Sequence, residues 1–270
     1  MNAQLPKNTL QKLNEGKVFF FKFSRFLLTL DFKGFSLGVM SRLLVQVLTL
    51  VAALLPIKIL LFLAPNRPMP DILAEFFDSK GQLVIALCVL MFVFMFLAYF
   101  FSKLATKISD VKVNKIVARL KTVSIKSKTK RIKKSVDACL LISSSGLFVM
   151  CCVALEFFVY RDLLFILMAA LFISFMVFLA EKNGRFDALK TMKIPLYKLF
   201  GNIAKSIFIM AFLFIVYDVL INEVGRSFIE LIVGLILIRQ SSMLIAMICS
   251  TFTELDKEKQ LMEELLGDVK

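Results

Sequence analysis

Four consecutive residues, Arg239, Gln240, Ser241 and Ser242, place a guanidinium, an amide and two hydroxyls in the middle of a long apolar run. Donors and acceptors of this kind bind anions or hold helices together. They have no acid or base with which to run a reaction. Three further ionisable residues, Lys58, Glu156 and Asp218, lie near the ends of other apolar runs. The chain has no His, which excludes His-based acid/base chemistry, triads and His-ligated metals. Its Cys residues, 88, 139, 151, 152 and 249, show no metal-ligand spacing and read as small apolar fillers. No GxxxxGK[ST] loop occurs. The expectations are therefore no catalytic residue, no metal site and no cofactor bound by this chain, and not an enzyme.

What positions these residues is a set of membrane spans. The 270 residues are 59% hydrophobic, above the roughly 45–50% of a soluble domain, so the surplus requires a bilayer. Apolar runs of spanning length lie at 43–64, 82–101, 138–160, 163–180, 202–220 and 228–250. The predicted architecture is all-α: one six-helix membrane domain over 17–270, after a flexible, polar 1–16. Residues 17–37 mix Phe and Leu with Lys22, Arg25, Asp31 and Lys33. They read as an interfacial elbow helix, with Phe and Leu turned into the lipid, and their charges argue against a cleavable signal. Pro56 should kink the first span. The tail, 251–270, has Leu255, Leu261, Met262, Leu265 and Leu266 at helical spacing and continues the sixth helix.

The net charge is +14. Much of it sits between the second and third spans, where Lys103, Lys107, Lys112, Lys115, Arg119, Lys121, Lys126, Lys128, Lys130, Arg131, Lys133 and Lys134 face one acid, Asp110. Such a loop resists translocation and stays in the cytoplasm. Both termini then face inward, which predicts a multi-pass protein of the cell inner (plasma) membrane. The basic residues contact lipid heads, and no nucleic-acid partner is expected. The basic stretch reads as two helical extensions meeting near 122–129. Asp137 reads as a helix-start acid favoured by the macrodipole, and the Ser143–Gly146 run, SSSG, as a site of close helix approach.

Arg239 lies eleven residues into the sixth span, about 16 Å deep at 1.5 Å per residue, and an intramembrane charge is a functional candidate by default. Two roles are open for the Arg239–Ser242 band: lining a substrate path, or clamping helices or a dimer. Lys58, Glu156 and Asp218 either snorkel to the interface or pair as an outer gate.

The elbow, the ALLPIKILLFLA end of the first span, and SFIELIVGLILIRQSSMLIAMICSTF with its amphipathic tail together resemble the membrane domain of an ATP-binding-cassette (ABC) exporter. The resemblance covers the topology of residues 20–266. The chain departs from that family's pattern in its short second inner loop and in the absence of the ATPase motifs. The resemblance implies a permease subunit of an exporter-type transporter and a second membrane subunit, as a homo- or heterodimer. It also implies a separate ATP-binding subunit carrying ATP and Mg. The ATPase would press on the loop tips, at Thr122, Ser124, Lys126 and Lys128 and at Phe186, Asp187, Lys190 and Lys193. The alternative is a non-transporting membrane scaffold or assembly subunit descended from such a domain.

Overall fold

The computed structural model describes residues 20–63, 76–77, 79–119, 128–182, 196–221, 228–258 and 263. Seven helices run through them: α1 (20–30), α2 (Phe32–Leu63), α3 (Lys80–Arg119), α4 (Thr129–Val159), α5 (Arg161–Lys182), α6 (Leu196–Ile221) and α7 (Phe228–Lys257). Six of them, α2 to α7, are long and apolar enough to cross a bilayer. The described residues form only helices and turns, and the six long apolar helices make this a multi-pass membrane protein.

The surface of α3 shows what surrounds the bundle. Its most apolar stretch is only 6% buried, against 50% in α4 and 44% in α7. Phe92, Phe96 and Phe100 are 66%, 69% and 55% exposed. A face of exposed Phe is costly in water and favourable against acyl chains. The high Phe content therefore serves the lipid contact on this helix. At 40 residues, α3 is about 60 Å long, roughly twice the hydrocarbon thickness. Its second half therefore lies outside the bilayer, at what we call the basic end.

Helices α4 and α7 form the centre. α2 packs on α3 and α4, and α5 and α6 pack on α7. Two glycines permit the closest approaches. A Cβ at Gly38 would meet Leu140 Cδ2 at 3.2 Å and Ile108 Cγ2 at 3.3 Å, so α2 lies tight on both α3 and α4. A Cβ at Gly234 would meet Leu163 Cδ1 at 2.8 Å, which brings α7 onto the α4–α5 turn. In the SSSG run the contact is made by Ser144 and Ser145, both fully buried. Gly146 faces open space. Helix α2 continues through Pro56.

The break between α1 and α2 falls at Asp31, so residues 32–37, expected in the elbow, begin the first long helix. Asp31 caps α2: its Oδ1 accepts the Gly34 N–H at 3.1 Å, satisfying one of the donors a helix start leaves free. Helix α1 turns part of its apolar face onto protein. Phe23 and Leu27 have no exposure and pack with Val113, Ile116, Ile132, Val136 and Leu255, while Phe21 is exposed. At the other end, one residue, Tyr160, separates α4 from α5.

Candidate functional site

Ion pairs stitch the basic end. Lys115 Nζ lies 2.8 Å from Asp31 Oδ2, Lys133 Nζ 2.5 Å from Asp110 and Lys134 Nζ 3.0 Å from Glu254. Arg131 Nε donates to Glu258 Oε2 at 2.7 Å. The last two pairs join the start of α4 to the end of α7. Lys115 and the capped Gly34 N–H hold the Asp31 carboxyl below its ordinary value. The hydrogen bond to Asp110 pushes Lys133 up. Lys112 is 1% exposed. It donates to the Asp31 carbonyl at 3.1 Å and lies 4.8 Å from the Phe35 ring centroid. Burial pushes its pKa down to about 8, against the opposing pull of Asp31.

Asp137 is not a helix-start acid. Helix α4 begins eight residues earlier, at Thr129, and the Asp137 carboxylate and carbonyl both accept from Arg42 of α2. An acid there neutralises a cation that would otherwise lie between helices.

The Arg239–Ser242 band divides between two faces of α7. Successive residues turn about 100° on a helix. Ser241 and Ser242 are buried, with Ser241 beside Cys152 of α4. Gln240 is half-buried and Arg239 is exposed. The hydroxyls belong to the core seam, where Gln46 of α2 also donates to Ser145 of α4 at 2.9 Å. Arg239 belongs to a groove between α6 and α7. This groove, of about 350 Å³, is lined by Gly201, Ala204, Lys205, Phe208, Arg239, Met243, Ala246, Met247 and Ser250. The Arg239 guanidinium carbon lies 5.8 Å from the Phe208 ring centroid, a cation–π distance. Among the described residues, the lining contains two cations and no acid.

The three residues expected as an outer gate stand in different surroundings. Lys58 is exposed and makes an ion pair with neither acid. Asp218 is buried and accepts the hydroxyl of fully buried Tyr160, linking the α4–α5 turn to α6. Glu156 has no exposure and lies over Gly234, its Oε2 3.6 Å from where a Cβ there would sit. Neither oxygen has a hydrogen-bond partner among the described residues. Of the expected ATPase contacts, Lys128 directly precedes α4. Thr122, Ser124, Lys126, Phe186, Asp187, Lys190 and Lys193 lie outside the described residues.

Lys205 and Tyr160 are the residues that sequence reasoning passed over. The signal for Lys205 was present: a cation three residues past the start of the fifth span, with Phe208 at i+3. Tyr160 carries no such signal, because its hydroxyl gains meaning only from Asp218 on another helix. Among the described residues no group of His, Cys, Asp and Glu could hold a metal ion. Compared with known proteins, the chain matches no family model, no curated protein and no solved structure.

Proposed function

We propose that the chain is the membrane-spanning permease subunit of an exporter-type ABC transporter, working with an ATPase on a separate chain and a second membrane subunit. The observation that carries this reading is the tie between the projecting basic end and α7. Helices α3 and α4 leave the bilayer together. The start of α4 is ion-paired to the end of α7 through Arg131–Glu258 and Lys134–Glu254. The same helix carries Arg239 into the α6–α7 groove.

A push on the basic tip therefore reaches the groove through one rigid rod and two charge-assisted contacts. With the basic end in the cytoplasm, as positive loops favour, a soluble ATPase can deliver that push. ATP hydrolysis belongs to the partner. This chain contributes the lever and the lining of the path.

The test is to purify the tagged chain from its own host, identify co-purifying proteins, and measure ATPase activity and flux in proteoliposomes. The reading expects a bound ATPase. Reversing Arg131 to Glu should reduce flux about two- to fivefold, on the scale of a part-exposed ion pair. Arg131→Glu with Glu258→Arg should restore much of it. Recovery of a partner that hydrolyses no ATP, with flux absent in every variant, would instead support a scaffold.

A further inference from the structure

We propose that the α6–α7 groove is a binding site for the phosphate headgroup of an anionic lipid, with the acyl chains left in the bilayer. This deepens the permease reading by naming a substrate class, and it rests on that reading only for the claim that the lipid is moved.

Lys205 and Arg239 line one groove, are both exposed, and have no acidic neighbour among the described residues of its wall. At the basic end, by contrast, Asp31, Asp110, Glu254 and Glu258 each answer a cation. Two like charges within the apolar layer are costly unless an anion joins them. The described residues of the wall supply none, so the groove is complementary to an anion from outside the chain.

The shape and position of the groove then identify its occupant. A volume of about 350 Å³ holds on the order of a dozen water molecules at about 30 Å³ each. That suits a polar headgroup and is too small for a whole lipid. The rest of the lining, Phe208, Met243 and Met247, is apolar and deformable. Beside it, α6 presents Ile209, Met210, Phe212 and Leu213, all at least half exposed. An acyl chain can follow that face without leaving the hydrocarbon. Arg239 offers a planar fork that matches the two non-bridging oxygens of a phosphodiester, and Lys205 a second positive charge along the same groove. The two cations stand at different depths, Lys205 near the basic-end boundary of its span and Arg239 near mid-span. The headgroup would enter past Lys205 and advance toward Arg239.

The test uses native mass spectrometry of the full-length chain, with phosphatidylglycerol or phosphatidylcholine added in turn. The inference expects phosphatidylglycerol to be retained over phosphatidylcholine by about tenfold or more, the scale of one charge-assisted contact. Lys205→Leu with Arg239→Leu should abolish the preference at unchanged thermal stability. Arg239→Gln and Lys205→Gln singly should each remove part of it, should the double variant not fold. Lys205→Arg should keep it.

Three results would overturn the inference: no headgroup preference in the native chain, the same preference in the double variant, or displacement by millimolar inorganic phosphate. The last would make the site one for a free anion. Introducing Met243→Cys in a chain stripped of its native cysteines adds a fourth. Rapid disulfide formation between copies in the membrane would make the groove a subunit interface and exclude the lipid. Failure to recover an ATPase, with the headgroup preference intact, would sink the permease reading and leave the binding site standing.

Discussion

The basic end and the α6–α7 groove are both cationic, and they treat their charges oppositely. At the basic end, Lys115, Lys133, Lys134 and Arg131 each have an acid within 3.0 Å. In the groove, Lys205 and Arg239 share one cavity with no carboxylate among the described residues of its wall. Paired charges hold helices in place and leave little field for a ligand. Cations with no acid beside them contribute little to holding the fold and are free to meet a ligand. The first region therefore reads as a mechanical joint and the second as a site. Substitutions at the joint should damage stability, and substitutions in the groove should damage binding alone.

The largest loss should come from the joint's packing. Phe23→Ala empties a fully buried position beneath α1 and should cost about 3–5 kcal/mol. Limited proteolysis would then cut within 20–30 while α2 to α7 stay intact. An unchanged digestion pattern would mean that α1 is held by lipid rather than by the bundle.

Next comes the Arg42–Asp137 pair, which joins α2 to α4. Arg42→Leu or Asp137→Leu alone leaves a part-buried charge without its partner and should cost about 1–3 kcal/mol. Both leucines together should recover much of that. Thermal unfolding of the four chains in detergent measures the coupling. Purely additive losses would show that the pair is incidental.

A subtler effect involves Lys112. Its pKa is about 8 in the folded chain against 10.5 when free. Between those values the unfolded or undocked chain holds one more proton than the folded one, so docking of α1 onto α3 should tighten as pH rises through that window. Hydrogen exchange across residues 20–30 would report it. Lys112→Met should flatten the dependence, and a slope retained in that variant would assign it to another group.

The smallest stability change belongs to the groove. Lys205→Leu and Arg239→Leu should each leave the unfolding temperature nearly unchanged, since neither cation has an acid among the described wall residues and Arg239 meets only the exposed-site cation–π contact of Phe208. A drop comparable to that of Arg42→Leu would erase the distinction between the two regions.

The sequence makes the spans legible, because a run such as 82–101 has only one way to bury its apolar surface. It also shows that α3 and α4 outrun the bilayer, since basic residues continue past the apolar run with no Gly or Pro between Ser102 and Lys134. Pairing between helices is not legible. Asp137 looks like a helix-start acid until Arg42, ninety-five positions away, is placed against it. The Arg239–Ser242 band reads as one polar site, yet a 100° turn per residue sends the serines to the core and the arginine to the groove. Lys205 carried a usable signal, but it becomes a partner for Arg239 only when α6 and α7 lie antiparallel.

The most direct test of the two-ended arrangement is cysteine accessibility in intact cells, on a chain whose five native cysteines are replaced. Lys130→Cys, at the start of α4, and Arg161→Cys, at the start of α5, mark opposite ends of the bundle. The account predicts that a membrane-impermeant maleimide labels Arg161→Cys at once and Lys130→Cys only after permeabilisation. Labelling of Lys130→Cys from outside, or of both at equal rates, would contradict it.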